Sequence, residues 1–226
     1  MVASSASPTP LDRSKQILEV AGRLFAEQGY AATSTTQIAK AAGIRQPTLY
    51  HYFPRKDSIL EAILDEIMRV PAELVVRVSA TSDAAPVKLY RLVHYYVLFV
   101  CTSPYRLGEI AWLPELRSDA FGAFWRGRAG LVELYRRLIE AAVESGAFRP
   151  VSTGLAARDL NGSCEGVMNW KDATDSPHEE LADFVASRAL SGLLADPRDL
   201  EAVRAAARAH ADPLPFEPGD DHGTSL

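Results

Sequence analysis

The chain has 226 residues, of which 47% are hydrophobic and 23% charged, enough for one large or two small cored domains. No apolar run reaches the roughly 18 to 20 residues of a membrane span, and the first ten residues lack the charged and apolar regions of a signal peptide. The net charge of −5 argues against nucleic acid until the chain is divided: residues 1 to 60 carry seven Lys/Arg against four Asp/Glu, which leaves −8 for the rest. Only the N-terminal part favours phosphates.

Residues 1–10 form a Ser/Ala/Pro-rich leader, expected to be disordered. A first helix is predicted from Leu11 to Gln28, because Ile17, Leu18, Ala21, Leu24 and Phe25 share one helical face, and Gly29 ends it. The stretch from Thr33 to Lys56, TSTTQIAKAAGIRQPTLYHYFPRK, reads as two short helices about a glycine turn. Ser34 suits an N-cap, and Ile38, Ala39 and Ala42 supply an apolar stripe. Gly43 sits where a left-handed residue is wanted, and Pro47 is tolerated in the first turn of the second helix. Leu49 and Phe53 face the core, which turns Thr48, Tyr50, His51 and Tyr52 outward between Arg45, Arg55 and Lys56. Exposed polar aromatics flanked by cations predict a helix-turn-helix with DNA as partner.

The spacing Phe25-x-x-x-Gly29-Tyr30, Thr33-Ser34, Ile38-Ala39-x-x-Ala42-Gly43-Ile44 and Thr48-Leu49-Tyr50-x-Tyr52-Phe53-x-x-Lys56 resembles the tetracycline-repressor (TetR) family of bacterial regulators. The resemblance covers about a quarter of the chain, roughly Leu11 to Met68. It implies an all-α protein with a three-helix DNA-binding domain over residues 11–56. A larger helical domain for effector binding and dimerisation follows over 57–211, with a disordered tail over 212–226. By the same resemblance Gln46, Pro47 and Thr48 reach base edges, Gln by a bidentate pair to adenine. Tyr50, Tyr52 and Lys56 hold phosphates, assisted by Thr35, and His51 lies on the same outward face. Thr36 occupies a base-reading position where the tetracycline repressor has Arg, which its short side chain puts in doubt. Arg45 and Arg55 stand where the family commonly has small polar caps. They are either drift at exposed positions or two extra cations for phosphate.

Beyond Met68 the chain reads as helical throughout. A fourth helix starts near Lys56 and is expected to be kinked or interrupted by Pro71. A fifth runs from about Pro86 to Thr102, with Leu89, Leu92, Val93, Tyr96, Val97 and Val100 in its stripe, and a short sixth runs from Pro104 to about Trp112. A long stretch from Pro114 to Gly146 is expected to break near Gly127 to Gly130, and helices follow over about 152–171, 177–195 and 197–211. Aromatics crowd this region, and Tyr90, His94, Tyr95, Trp112, Phe121, Trp125 and Asn169 are the candidate effector lining. Taken alone, each aromatic reads first as core and His94 as a hydrogen-bonded core histidine, and only the set points to a pocket. Arg128 reads first as an exposed salt bridge and second as a contact for an anionic effector. The family's dimerising helices match Leu155 to Trp170 and Glu180 to Leu194, which nominates Gly162, Gly166, Leu181, Phe184, Val185, Ala189 and Leu193 for the interface.

Five scattered histidines and two lone cysteines give no metal-ligand spacing, and no phosphate-binding glycine loop or nucleophile elbow occurs. No cofactor or metal is expected. With no export signal, Cys101 and Cys164 read as reduced thiols in a cytoplasmic protein. The expected protein is a homodimeric, non-enzymatic DNA-binding repressor, released from a palindromic operator by a small apolar or aromatic effector. The alternatives are an activator or ligand-independent regulator of the same kind, and more remotely a helical enzyme.

Overall fold

A computed structural model describes residues 10–209, and the leader and tail readings lie almost wholly outside them. The described residues form ten α-helices joined by short turns and 3₁₀ segments. They are α1 (Pro10–Gln28), α2 (Thr35–Ala41), α3 (Gln46–Tyr52), α4 (Lys56–Ala80) and α5 (Ala85–Thr102), then α6 (Leu107–Ile110), α7 (Gly122–Glu144), α8 (Thr153–Gly166), α9 (His178–Ser191) and α10 (Leu200–Arg208). The one extended pairing among them is an isolated antiparallel bridge between Phe148 and Leu194.

The described residues divide into two compact units: residues 10–67 with 104–122, and 68–103 with 123–209. This division departs from the sequence boundary at residue 56 in two places. It runs through α4 after Ile67, and it returns residues 104–122 to the first unit. The return has a steric basis in α1. A Cβ added at Gly22 would meet the Tyr105 ring at 3.0 Å and Ile110 at 3.7 Å, so glycine lets the α6 segment lie close against the helix.

In the first unit Ile17, Ala21 and Phe25 of α1 close over Ile38, Leu49, Ile59 and Ile63, all with essentially no exposed surface. In the second unit α5 is central. Its predicted stripe is buried, and α8, α9 and α10 pack against it.

α4 is not interrupted at Pro71, nor α7 near Gly127 to Gly130. α4 continues through Pro71, although proline has no N–H for the Ile67 carbonyl one turn back. Burial of Val70, Pro71 and Leu74 holds the flanking turns in place. α7 likewise runs unbroken through Gly127 and Gly130. Its buried face of Phe124, Leu131, Leu134, Tyr135 and Leu138 outweighs the roughly 1 kcal/mol that each helical glycine costs. Gly127 also has a packing reason, since a Cβ there would meet Met68 Cε at 3.0 Å.

Candidate nucleic-acid interface

The helix pair is built by local chemistry. The Ser34 hydroxyl accepts from the Gln37 amide at 3.2 Å, and Gln37 Oε1 accepts from the Ser34 amide at 2.8 Å. This capping box fixes the start of α2. At its end Gly43 turns left-handed with φ +65°, where a side chain would be strained. The Ile44 amide returns to the Ala39 carbonyl at 3.0 Å. α3 then begins with Arg45 at the N-cap, which offers no side-chain bond, and with Pro47 in the first turn.

Within α3 only Leu49 is buried. Pro47, Thr48, Tyr50 and His51 are exposed, and Gln46 and Tyr52 are half-buried. The His51 and Tyr52 rings meet edge to face at 5.7 Å. Thr35, at the start of α2, places its hydroxyl 3.1 Å from the Tyr50 hydroxyl and 3.4 Å from Gln46 Nε2. Thr36 is exposed beside it. The structure thus brings Thr35, Gln46 and Tyr50 into one contact set.

Arg45 and Arg55 are exposed, and neither guanidinium makes a hydrogen bond or ion pair among the described residues. At the start of α4 the capping falls to Ser58, whose hydroxyl accepts from the Arg55 amide at 3.2 Å and donates to the Arg55 carbonyl at 2.6 Å.

Lys56 differs from the phosphate-binding expectation. Its ammonium donates to the carbonyls of Tyr30 at 2.9 Å and Thr33 at 3.0 Å, and it lies 4.2 Å from the centre of the Tyr30 ring. The Tyr30 hydroxyl in turn donates to Asp57. Burial first, then the neighbouring Asp57 carboxylate, drives the Tyr30 phenol well above its ordinary pKa, so it remains a donor. Lys56 therefore ties the turn after α1 to the first turn of α4. The reason is tertiary: the chain returns after 26 residues and brings two acceptors within reach of the amine.

In the second unit Tyr90, His94 and Tyr95 line a recess of about 220 Å³ with Arg91, Glu179, Ala207 and Arg208. Sequence reasoning missed these last four, because α9 and α10 supply three of them from more than eighty residues away. Tyr90 donates to Asp183, which also accepts from Arg204 at 2.6 Å and Arg208 at 2.9 Å. His94 Nε2 meets Glu179 at 3.0 Å. Burial lowers the His94 pKa, against the opposing pull of Glu179.

The other lining candidates are elsewhere. Trp112 is 75% exposed in the turn after α6, and Phe121 is buried in the first unit. Trp125 packs on Phe124 with the Arg128 guanidinium 5.7 Å from its ring, and Asn169 is exposed. Arg128 is held by Glu165, with Nε to Oε1 at 2.6 Å. Of the interface candidates, Leu181 and Val185 are buried within the chain itself because α9 packs along α5, and Leu193 is buried in the turn after α9. Phe184 is 57% exposed, as is Leu155 at 69% on α8. Gly162 is exposed, and Gly166 and Ala189 are half-buried. A Cβ at Gly162 or Gly166 would meet nothing within 4 Å.

Among the described residues there is no helix long and apolar enough to cross a membrane, and no cluster of three metal-ligating side chains.

Comparison with known proteins places this architecture. The family described as "Bacterial regulatory proteins, tetR family" matches residues 17–63, which span α1 to the first half of α4. The crystal structure of Mycobacterium smegmatis AmtR is 32% identical and superposes with a TM-score of 0.70 over 93% of this chain and 99% of that one. A tetR-family regulatory protein from Rhodococcus RHA1 gives 26% identity and a TM-score of 0.72, over 81% and 98% of the two chains. The HTH-type transcriptional repressor KstR2 of Rhodococcus jostii is 28% identical over 176 residues, 73% of this chain and 85% of that protein. The chain belongs to the TetR family and is a helix-turn-helix DNA-binding transcriptional regulator.

Proposed function

We propose that this protein is a cytoplasmic homodimeric repressor, without enzymatic activity, that leaves a palindromic operator when a small apolar or aromatic effector binds its second unit. The observation that carries the DNA reading is α3, a helix with one buried residue and an outward face of Pro47, Thr48, Tyr50 and His51 beside two exposed arginines. A globular helix with so narrow a core contact has its remaining surface available to a partner. Similarity to the KstR2 repressor supports repression.

Gln46, Pro47, Thr48 and, marginally, Thr36 face base edges, while Tyr50, Tyr52, Arg45 and Arg55 face the backbone. Phosphate contacts set the register and base contacts specify. The exposed side chains Leu155 and Phe184, with the open strip at Gly162 and Gly166, support pairing through α8 and α9. Such a dimer sets two recognition helices about 34 Å apart, one turn of DNA. An effector with different affinity for two spacings then shifts the equilibrium between bound and free operator. Tyr90, His94 and Tyr95 support an effector site at their recess.

The recess is smaller than the roughly 300 Å³ of an ordinary ligand pocket. A second recess of the same unit, about 480 Å³ between α7 and α8 and lined by Arg128, Arg136, Arg158 and Asn161, exceeds that size. The second reading, a regulator that responds to no small molecule, is therefore supported by the smaller recess alone. Fluorescence anisotropy on the intergenic DNA beside the gene tests the repressor reading, with thermal-shift screening of small hydrophobes in parallel. A compound that raises the melting temperature and releases DNA supports it. Saturable DNA binding that no stabilising compound alters supports the second reading.

A further inference from the structure

We propose that Thr35 is a positioning residue that converts the Tyr50 phosphate contact into a fixed orientation of the Gln46 amide, so that the recognition helix reads adenine. The inference rests on the DNA contacts assigned above and adds the orientation of one side chain. Thr35 is held at the first turn of α2 by the Ser34–Gln37 capping box, so its hydroxyl has a fixed origin. That hydroxyl stands 3.1 Å from the Tyr50 hydroxyl and 3.4 Å from Gln46 Nε2, the long end of a hydrogen bond. Tyr50 is 43% exposed and Gln46 half-buried, so one side of the set opens to solvent.

Proton counting decides the direction. A hydroxyl has one proton to donate and two lone pairs to accept with. A phosphate oxygen only accepts, so a Tyr50 on DNA donates its proton to the backbone and must receive one from Thr35. Thr35 then has no proton left, and its remaining lone pair is satisfied only by the nitrogen of Gln46, not by its oxygen. The chain becomes Gln46 N–H to Thr35, Thr35 O–H to Tyr50, Tyr50 O–H to phosphate. Each link polarises the next.

The flipped amide would set Gln46 Oε1 against an oxygen that has no proton to give. Held unflipped, Gln46 keeps Oε1 and its second N–H free. That pair is complementary to the N6 donor and N7 acceptor of adenine in the major groove. A contact that carries no sequence information thus fixes one that does.

The test selects binding sites from a randomised duplex library with the full-length protein, then measures affinities for single-base variants of the selected site. Gln46→Ala should erase the preference at one base pair per half-site, of the order of 5- to 150-fold for a bidentate pair. Thr35→Val should cut the preference at that same pair to under threefold, Tyr50→Phe should weaken it, and Thr35→Ser should keep it. Thr35→Val in the Gln46→Ala background should lose nothing more at that pair, and melting curves confirm that each variant is folded. A preference unchanged by Thr35→Val, or lost equally at every position, overturns the proposal. A site that Gln46→Ala leaves intact overturns it too, with DNA binding by α3 still standing. Failure of the unaltered protein to select any sequence removes that underlying reading as well.

Discussion

Lys56→Met removes an ammonium that is built into the fold. The side chain makes two charge-assisted hydrogen bonds, at 2.9 Å to the Tyr30 carbonyl and 3.0 Å to the Thr33 carbonyl, and packs over the Tyr30 ring. Hydrogen bonds to charged groups are worth about 1.5 to 3 kcal/mol each, less where water competes. The Tyr30 carbonyl also accepts from the Thr33 amide at 3.1 Å, so truncation orphans the Thr33 carbonyl above all. For a half-buried lysine the loss comes to about 2 to 4 kcal/mol. Chemical denaturation should show that loss, and hydrogen exchange should speed up at residues 29–36. In DNA binding, the slope of log affinity against log salt should be unchanged, because an ammonium bonded to two carbonyls neutralises no phosphate. A slope reduced by about one unit in a variant of full stability would restore Lys56 to the phosphate-binding set and refute the clamp.

Three further perturbations follow from the same geometry. Arg45→Ser with Arg55→Ser should flatten the salt dependence by about 0.9 for each phosphate no longer neutralised, and Ser at position 45 adds a cap to α3 worth about 0.5 to 2 kcal/mol; an unchanged slope, read by anisotropy from low to high salt, would make both arginines surface drift. His94 has a lowered folded pKa, so below its ordinary value near 6.5 the unfolded chain binds more protons. Stability from this group is therefore full above pH 6.5 and lost as pH falls through the folded value; His94→Phe should flatten melting temperature against pH in that window, where Glu179, Asp183 and Arg208 also face the ring. Phe184→Glu with Leu155→Glu should convert dimer to monomer in analytical ultracentrifugation while helical content stays the same, because both side chains are exposed in the single chain. A dimer that persists places the interface elsewhere.

Everything governed by neighbours within one or two turns is legible in the sequence. Ser34 and Gln37 specify a cap, Gly43 a left-handed turn, and Leu49 the core face of α3, because capping and periodicity are set by residues three or four apart. The fixed spacing from Phe25 to Lys56 carries the family with it. The expected breaks at Pro71 and at Gly127 to Gly130 follow correctly from local propensity, but burial against distant residues outweighs it.

What the tertiary structure alone decides is which side chains meet after long separations. Lys56 finds Tyr30 across 26 residues, and Tyr90 finds Asp183 across 93. Leu181, Val185 and Leu193 read from the sequence as part of a dimer interface, with an internal core contact as the alternative. Packing buries Leu181 and Val185 of α9 against α5, buries Leu193 in the turn after α9, and leaves Phe184 exposed. A periodic pattern records that a face is to be buried, but the identity of what buries it is a property of the folded chain.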